Sequence, residues 1–336
     1  MRLRRQWIVF VLVALAAGAG AYLLTRGPGP GSPPAVEQGL AWVPAEAGLI
    51  ASLRVDEIRQ QAWLLGLLEQ VSGVEQEAEY QQFVAATGFD YARDLTRVWL
   101  AVMGNSERSR LVGVARGRFA PQKILSYARE QGSGIRLHRG TSIYVLTAGV
   151  SGEAPARQFA FAFIDETHLA FGDSGDGVEA VLDCVAGKAP AVTSDPARKA
   201  HIERFAAGMH AWAMNDVTRW RPGPLAKRPE LAAQLQQWAV AARVTATGIE
   251  LVGEAQTREA GQAATLGQLL RGYALLGRVA LGKRDDAASQ ALARVLDEME
   301  FGSEDRLLSA KVRVSAETLK TLLTAPGIAV GAGRGR

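Results

Sequence analysis

The sequence predicts an α+β protein: two similar lobes of antiparallel hairpins with packed helices, preceded by one N-terminal transmembrane helix. Three observations carry this expectation. Apolar residues alternate with period two in paired runs closed by tight polar turns, as in hairpins. Between the hairpins they recur at helical spacing, without the regular strand–helix–strand alternation of a doubly wound sheet. Finally, Arg2, Arg4 and Arg5 precede an uncharged, mostly apolar run from Trp7 to Leu24.

A bilayer core about 30 Å thick needs roughly 20 helical residues and tolerates about 17. Trp7–Leu24 supplies 18, with Trp7 and Tyr22 near the ends, where amphipathic rings sit. Ala17-Gly18-Ala19 and Ala19-Gly20-Ala21 offer cleavage-like sites. A cleaved signal, however, has an apolar region of about 7–15 residues, so length favours an uncleaved anchor over 1–26. Positive charge before the run places the N-terminus in the cytoplasm, and the body outside an inner membrane that it crosses once. GPGPGSPP opens a linker over 27–39, and the lone cysteine, Cys184, lies too far away to be a lipid-attachment site.

The remainder divides into a first lobe, 40–190, a second lobe, 191–324, and a Gly-rich tail, 325–336, expected to be disordered. Apolar residues make up 48%, enough for a core, which an exported chain with one cysteine needs in place of disulfides. Net charge is +4, but Arg2, Arg4, Arg5, Arg334 and Arg336 lie at the two ends. The near-neutral body excludes a nucleic-acid surface, which requires a concentrated basic face.

In order, Leu49–Val55 reads as the first strand, followed by a helix from Asp56 carrying Ile58, Trp63, Leu64, Leu67, Leu68 and Val71. A second helix covers Glu75–Ala86 and stops at Gly88. Arg97–Met103 and Leu111–Arg116 form a hairpin, and Pro121 starts a helix running to Gln131. Strands at 135–137, 142–146, 158–164 and 168–171 lead to a helix over Val178–Val185. Ser194-Asp195-Pro196 caps a linking helix, with His201 expected on its exposed face. The second half restates the order, with a strand at Ala211–Asn215, then a hairpin of Trp238–Thr245 and Ile249–Gln256. Helices from Arg258 and over Ala287–Met299 come next, then strands at Arg306–Leu308 and Ala310–Val314, and a closing helix over Ala316–Leu323. Leu-Val-Gly recurs at Leu111 and Leu251, each time in the second hairpin strand.

Gly172-Asp-Ser-Gly175 looks like the segment around the nucleophile of chymotrypsin-like serine proteases. That chemistry needs a histidine base oriented by an aspartate, and His138, His168, His201 and His210 stand in no matching context. Ser174 or Asp176 is expected instead to cap the helix that follows. Asp165, Asp173 and Asp176 lack the alternating oxygen ligands of a calcium loop, and no HExxH or cysteine cluster occurs, so no metal or cofactor is expected. Gly261, Gly267, Gly272 and Gly277 soften the helix after Arg258. They serve either close packing, the expected use, or a groove for an acyl chain or partner helix. Trp212 and Trp220 flank a segment rich in arginine and proline. Because Trp and Arg are frequent interface anchors, Trp212, Arg219, Trp220 and Arg221 are the candidate partner-binding residues.

The stretch from Trp42 to Val55 (WVPAEAGLIASLRV), Thr87-Gly-Phe-Asp90 ahead of the Arg97 strand, and Phe159–Gly172 together resemble anchored, exported bacterial envelope proteins without an established activity. In these a Pro-Ala-x-Ala turn leads into the first strand. The resemblance covers mainly residues 42–172 and carries no catalytic residues. With no catalytic constellation in the chain, the expected function is a membrane-anchored, extracytoplasmic binding or scaffolding protein that is not an enzyme. Its expected contacts are the membrane through residues 7–24 and an envelope protein, with no nucleic acid. The alternatives are an apolar-ligand (lipid) carrier and a hydrolase with a dispersed site. A deep apolar cavity marks the carrier, clustered His and Asp the hydrolase, and an exposed apolar patch near Trp220 the partner binder.

Overall fold

The computed structural model describes residues 38–61, 63–64, 78–105, 108–148, 157–222 and 229–324. Trp7–Leu24, most of the linker, the apolar positions Leu67, Leu68 and Val71, and the tail lie outside them. No helix among the described residues is long and apolar enough to cross a membrane.

The strands are β1 (Leu49–Arg54), β2 (Leu95–Gly104), β3 (Ser109–Gly117), β4 (Gly134–His138), β5 (Thr141–Ala148) and β6 (Arg157–Phe163) in the first half. There follow β7 (His168–Gly172), β8 (Ala211–Asp216), β9 (Leu235–Thr245), β10 (Gly248–Thr257), β11 (Glu300–Glu304) and β12 (Leu307–Ser315). All join one antiparallel sheet in the order β11-β12-β10-β9-β8-β1-β2-β3-β7-β6-β5-β4. At its middle β1 pairs with β2 and with β8, so that Ala51 lies opposite both Leu100 and Ala213. Outward from this seam each half has the same order: opening strand, two hairpin strands, last strand, the strand before it. The first half adds the β4–β5 hairpin at its rim. Segments 40–190 and 191–324 thus contribute to a single sheet, and the mixed α+β class holds.

The helices are α1 (Val55–Arg59), α2 (Ala78–Thr87), α3 (Tyr91–Asp94), α4 (Pro121–Glu130) and α5 (Gly175–Val185). The second half adds α6 (Pro196–Ala206), α7 (Pro229–Gln234), α8 (Gln262–Gly282), α9 (Ala287–Asp297) and α10 (Ala316–Thr324). Side chains alternate across a strand, so the sheet carries two cores. On one face Ile50, Trp99, Met103, Val112 and Trp212 meet Val178 and Val181 of α5, and Ile202 and Phe205 of α6. On the other, Val98, Leu100, Tyr144, Phe161 and Phe171 meet Ile124 and Ala128 of α4. That second face continues under α7 and α8 through Ala255 and Leu308, and under α9 and α10 through Leu251, Val312 and Val314. The β2–β3 and β9–β10 hairpins are each followed by a helix on this second face, but the closing helices differ: α5 lies on the first face and α10 on the second.

Two expectations are corrected. The linker gives way to packed chain before residue 39: Gln38–Trp42 is a 3-10 turn with Gly39 and Leu40 buried. A Cβ on Gly39 would stand 2.3 Å from the Trp99 ring, so only a bare backbone fits there. The pair of strands expected at 306–314 is one strand, β12, and its hairpin partner is β11. Glu300–Glu304 has too little apolar alternation to announce itself, and the chain reverses at Asp305, whose φ is +48°.

Trp99 is 2% exposed and is the largest side chain among the most buried ones. Trp99→Ala is expected to lower unfolding free energy by about 3–5 kcal/mol in a denaturant titration. Gly39→Ala should lower it too, and unchanged stability there would refute the packing of the turn on Trp99.

Candidate functional site

The four residues expected at a partner interface differ in exposure and in what they bind within the chain. Trp212 on β8 is 4% exposed and belongs to the first-face core. Arg219 pairs with Asp216 at 3.1 Å and donates to the Ala45 carbonyl. Trp220 is half-buried against Gly48, and its carbonyl accepts from Asn215 Nδ2 at 3.2 Å. Arg221, like Arg219, is exposed. Arg198 of α6 adds hydrogen bonds to the carbonyls of Ala45 and Ala47, at 3.0 and 2.7 Å. Burial and the neighbouring Arg219 pull the Arg198 guanidinium below its ordinary value. The Trp/Arg segment is therefore a clamp on the Pro-Ala-x-Ala turn that feeds β1.

The acids and histidines singled out in the sequence are dispersed. Ser174 caps α5, accepting from Gly177 N–H at 3.3 Å. Asp173 accepts from Leu111 N–H at 2.9 Å, Asp176 pairs with Arg136 at 2.7 Å, and Asp165 binds His168 Nδ1 at 2.9 Å. His138 reaches Asp183 at 2.6 Å, and His210 Nδ1 accepts from Val244 N–H at 2.9 Å. No group of three potential metal ligands forms among the described residues. Burial pushes the Cys184 thiol up to about 11, so it stays protonated at neutral pH.

His201 is not on an open helix face. It lines a cleft of about 480 Å³ between α6, the first face of β9–β10 and the β11–β12 turn, with Arg204, Gln237, Glu254 and Arg306. Arg204 holds Glu254 in a two-pronged pair at 2.9 and 2.7 Å. Burial raises the Glu254 carboxyl, but its polar partners outweigh this and bring it to about 2. The lowering comes from His201, whose Nε2 stands 3.6 Å away, and from the two Arg204 bonds.

The strongest anomaly lies on α8. Its inner face is ordinary: Ala263, Leu266 and Gly267 are buried, and Leu270 packs on the core that includes Ala255 and Leu308. Gly277 admits α9, since a Cβ there would stand 2.9 Å from Leu296 Cδ1. The outer face is apolar as well. Leu269, Tyr273, Leu276 and Val279 recur at i, i+4, i+7 and i+10, a single stripe of the helix, with Leu275 beside them. All five are 47–68% exposed. Gln262–Gly282 contains no Asp or Glu. Its two arginines turn to one side, away from the row: Arg271 donates to the Phe301 carbonyl at 2.7 Å, and Arg278 pairs with Asp297. The exposed patch sought near Trp220 is thus on α8. The remaining large exposed apolar side chains among the described residues, Ile135 and Leu137, lie on the edge strand β4.

No protein family matches the chain, and neither does any curated protein. Among solved structures, crystal forms I and III of TP0453 are similar to it. They are 11% and 13% identical, cover 87% and 86% of this chain and 98% of that chain, and have TM-scores of 0.43 and 0.48. A likeness of this degree transfers neither activity nor partner.

Glu254 makes the cleft a source of acid sensitivity. Its carboxyl is depressed in the folded state, so its contribution is full above the ordinary value of 4.5 and is lost as pH falls through about 2. Glu254→Gln is expected to be less stable than the parent at neutral pH by up to about 3 kcal/mol. The gap should close between pH 4.5 and 2, as read by denaturant titrations across that window. A constant gap would show that Glu254 is not held ionised.

Proposed function

We propose that the protein is a non-catalytic binding or scaffolding protein of the bacterial envelope. In this reading Trp7–Leu24 anchors it as a single-pass protein with an extracytoplasmic body, the two halves repeat one unit about the β1–β8 seam, and the outer face of α8 is its docking surface. The apolar row on α8 carries the reading. Burying a side chain of leucine size is worth about 1.5–3 kcal/mol, and contiguous exposed apolar groups mark interaction surfaces.

The cleft beside α6 favours the alternatives less. Its buried carboxylate, Glu254, stays ionised and bound to Arg204, so near neutrality it does not take up a proton as a general base would. A hydrolase built there lacks that group. The lining of the cleft is rich in charged and amide side chains, whereas an apolar-ligand carrier calls for an apolar cavity.

Site-specific photo-crosslinking in native membranes tests the docking surface. A photoreactive residue in place of Leu276 is expected to give an adduct, to lipid or to protein, that Leu269→Glu and Tyr273→Glu abolish. The same residue at Arg313, which is 76% exposed at its side chain and lies on the opposite face of the sheet, should give none. Equal labelling at the two positions would overturn the assignment of α8.

A further inference from the structure

We infer that the occupant of the outer face of α8 is the anionic surface of a phospholipid bilayer, on which the helix lies flat. The inference rests on the reading of α8 as the docking surface and adds what docks.

Shape comes first. Leu269, Tyr273, Leu276 and Val279 stand on the outer ridge of one helix, not in a groove, and a convex apolar ridge suits a fluid apolar phase that closes around it. Twenty-one residues make a cylinder about 32 Å long. Tyr273 places a hydroxyl on that ridge, as side chains at a membrane–water boundary do.

Charge points the same way. From Ala260 to Arg284 the chain has no carboxylate, while Arg271, Arg278, Lys283 and Arg284 are spread along the helix and its end. The acids at its ends are Glu259, bonded to Gln262, Asp285, exposed beside Arg284, and Asp286, paired with Arg284, while Asp297 of α9 pairs with Arg278. Both arginines keep 45% or more of their side chains exposed and remain available to headgroups. A helix with an apolar row, cations on its polar side and no carboxylate of its own has the make-up of helices that lie in the interface of anionic bilayers. A partner helix or protein groove has no such requirement for a carboxylate-free stretch.

Distance permits it. The thirteen residues from Thr25 to Glu37 span at most about 45 Å when extended, so an anchor at Trp7–Leu24 keeps the body within reach of the bilayer.

The test uses the full chain in vesicles, with an environment-sensitive nitrobenzoxadiazole label on Leu276→Cys. Cys184 is left in place, buried and protonated, and the unsubstituted parent gives its labelling background. In vesicles of phosphatidylcholine with phosphatidylglycerol, the label is expected to shift its emission to the blue and to be quenched by spin-labelled lipid. A label on Arg313→Cys should report water. Adding Leu269→Glu and Tyr273→Glu should lower the embedded fraction about tenfold or more. Far-ultraviolet circular dichroism and thermal melting verify that these exposed substitutions leave the fold intact. A label at 276 that reports water while the chain floats with the vesicles overturns the proposal, as does failure of the chain to float. Equal embedding in phosphatidylcholine alone overturns its anionic element. Where the lipid proposal fails, a discrete protein adduct from the Leu276 crosslinker, abolished by the same two glutamates, leaves α8 as a docking surface with a protein occupant. Absence of both ends the docking reading itself.

Discussion

The pairing of β1 with β8 joins residues 49–53 to residues 211–215, about 160 positions apart, and makes one sheet of two half-chains. Because β1 is bonded on both edges, its alternating side chains found both cores: Ile50 on the first face and Ala51 on the second. Closing so long a loop costs chain entropy before any contact offsets it, so the seam needs local support. It has this at the start of β1, where Arg198 and Arg219 grip the carbonyls of Ala45 and Ala47. Gly48 gives its N–H to Val102 and its carbonyl to Asp216. The tryptophan that blocks any side chain at Gly48 belongs to the same clamp.

This constraint explains which parts of the fold were legible in the sequence. The hairpins β2–β3 and β9–β10, the helix after Pro121 and the Ser174 and Asp195 caps rest on contacts within a few residues, and they stand within a few positions of their predicted bounds. The sharing of one sheet by the two halves rests on a contact that no local pattern encodes. β11 was missed for a different reason. An edge strand bonded on one side needs little apolar alternation, and Glu300 and Glu304 at its ends discourage further pairing, as charges do on exposed edges.

The candidate site was half legible. The glycines drew attention to α8: Gly267 and Gly277 serve close packing as expected, whereas a side chain at Gly261 or Gly272 would meet open space. Composition alone does not separate a helix buried all round from one with an apolar stripe facing water, because both read as apolar on most of their circumference. The distinction lies in what covers α8: the sheet and α9 take its inner stripe, and nothing among the described residues covers Leu276. The Trp212–Arg221 segment, expected to face a partner, makes its described contacts within the chain. Trp and Arg anchor clamps within a chain by the same hydrogen bonds and apolar area that anchor partners.

Ile135 and Leu137 raise the question of whether α8 is one half of a larger apolar surface. Both belong to the same sheet face as α8, since Ile135 lies opposite Tyr144, a member of the second-face core. Nine strand-to-strand steps separate β10 from β4, however. A twist of about 20° at each step accumulates to about half a turn, so sharing a sheet face does not place two groups on one side of the molecule. The two exposures also differ locally. On β4 the intervening Arg136 is tied to Asp176 and Glu179 of α5, which holds the strand by its other face and leaves only two apolar groups outside. Two such groups are within what any soluble surface carries. The continuous row of five on α8 is larger than that.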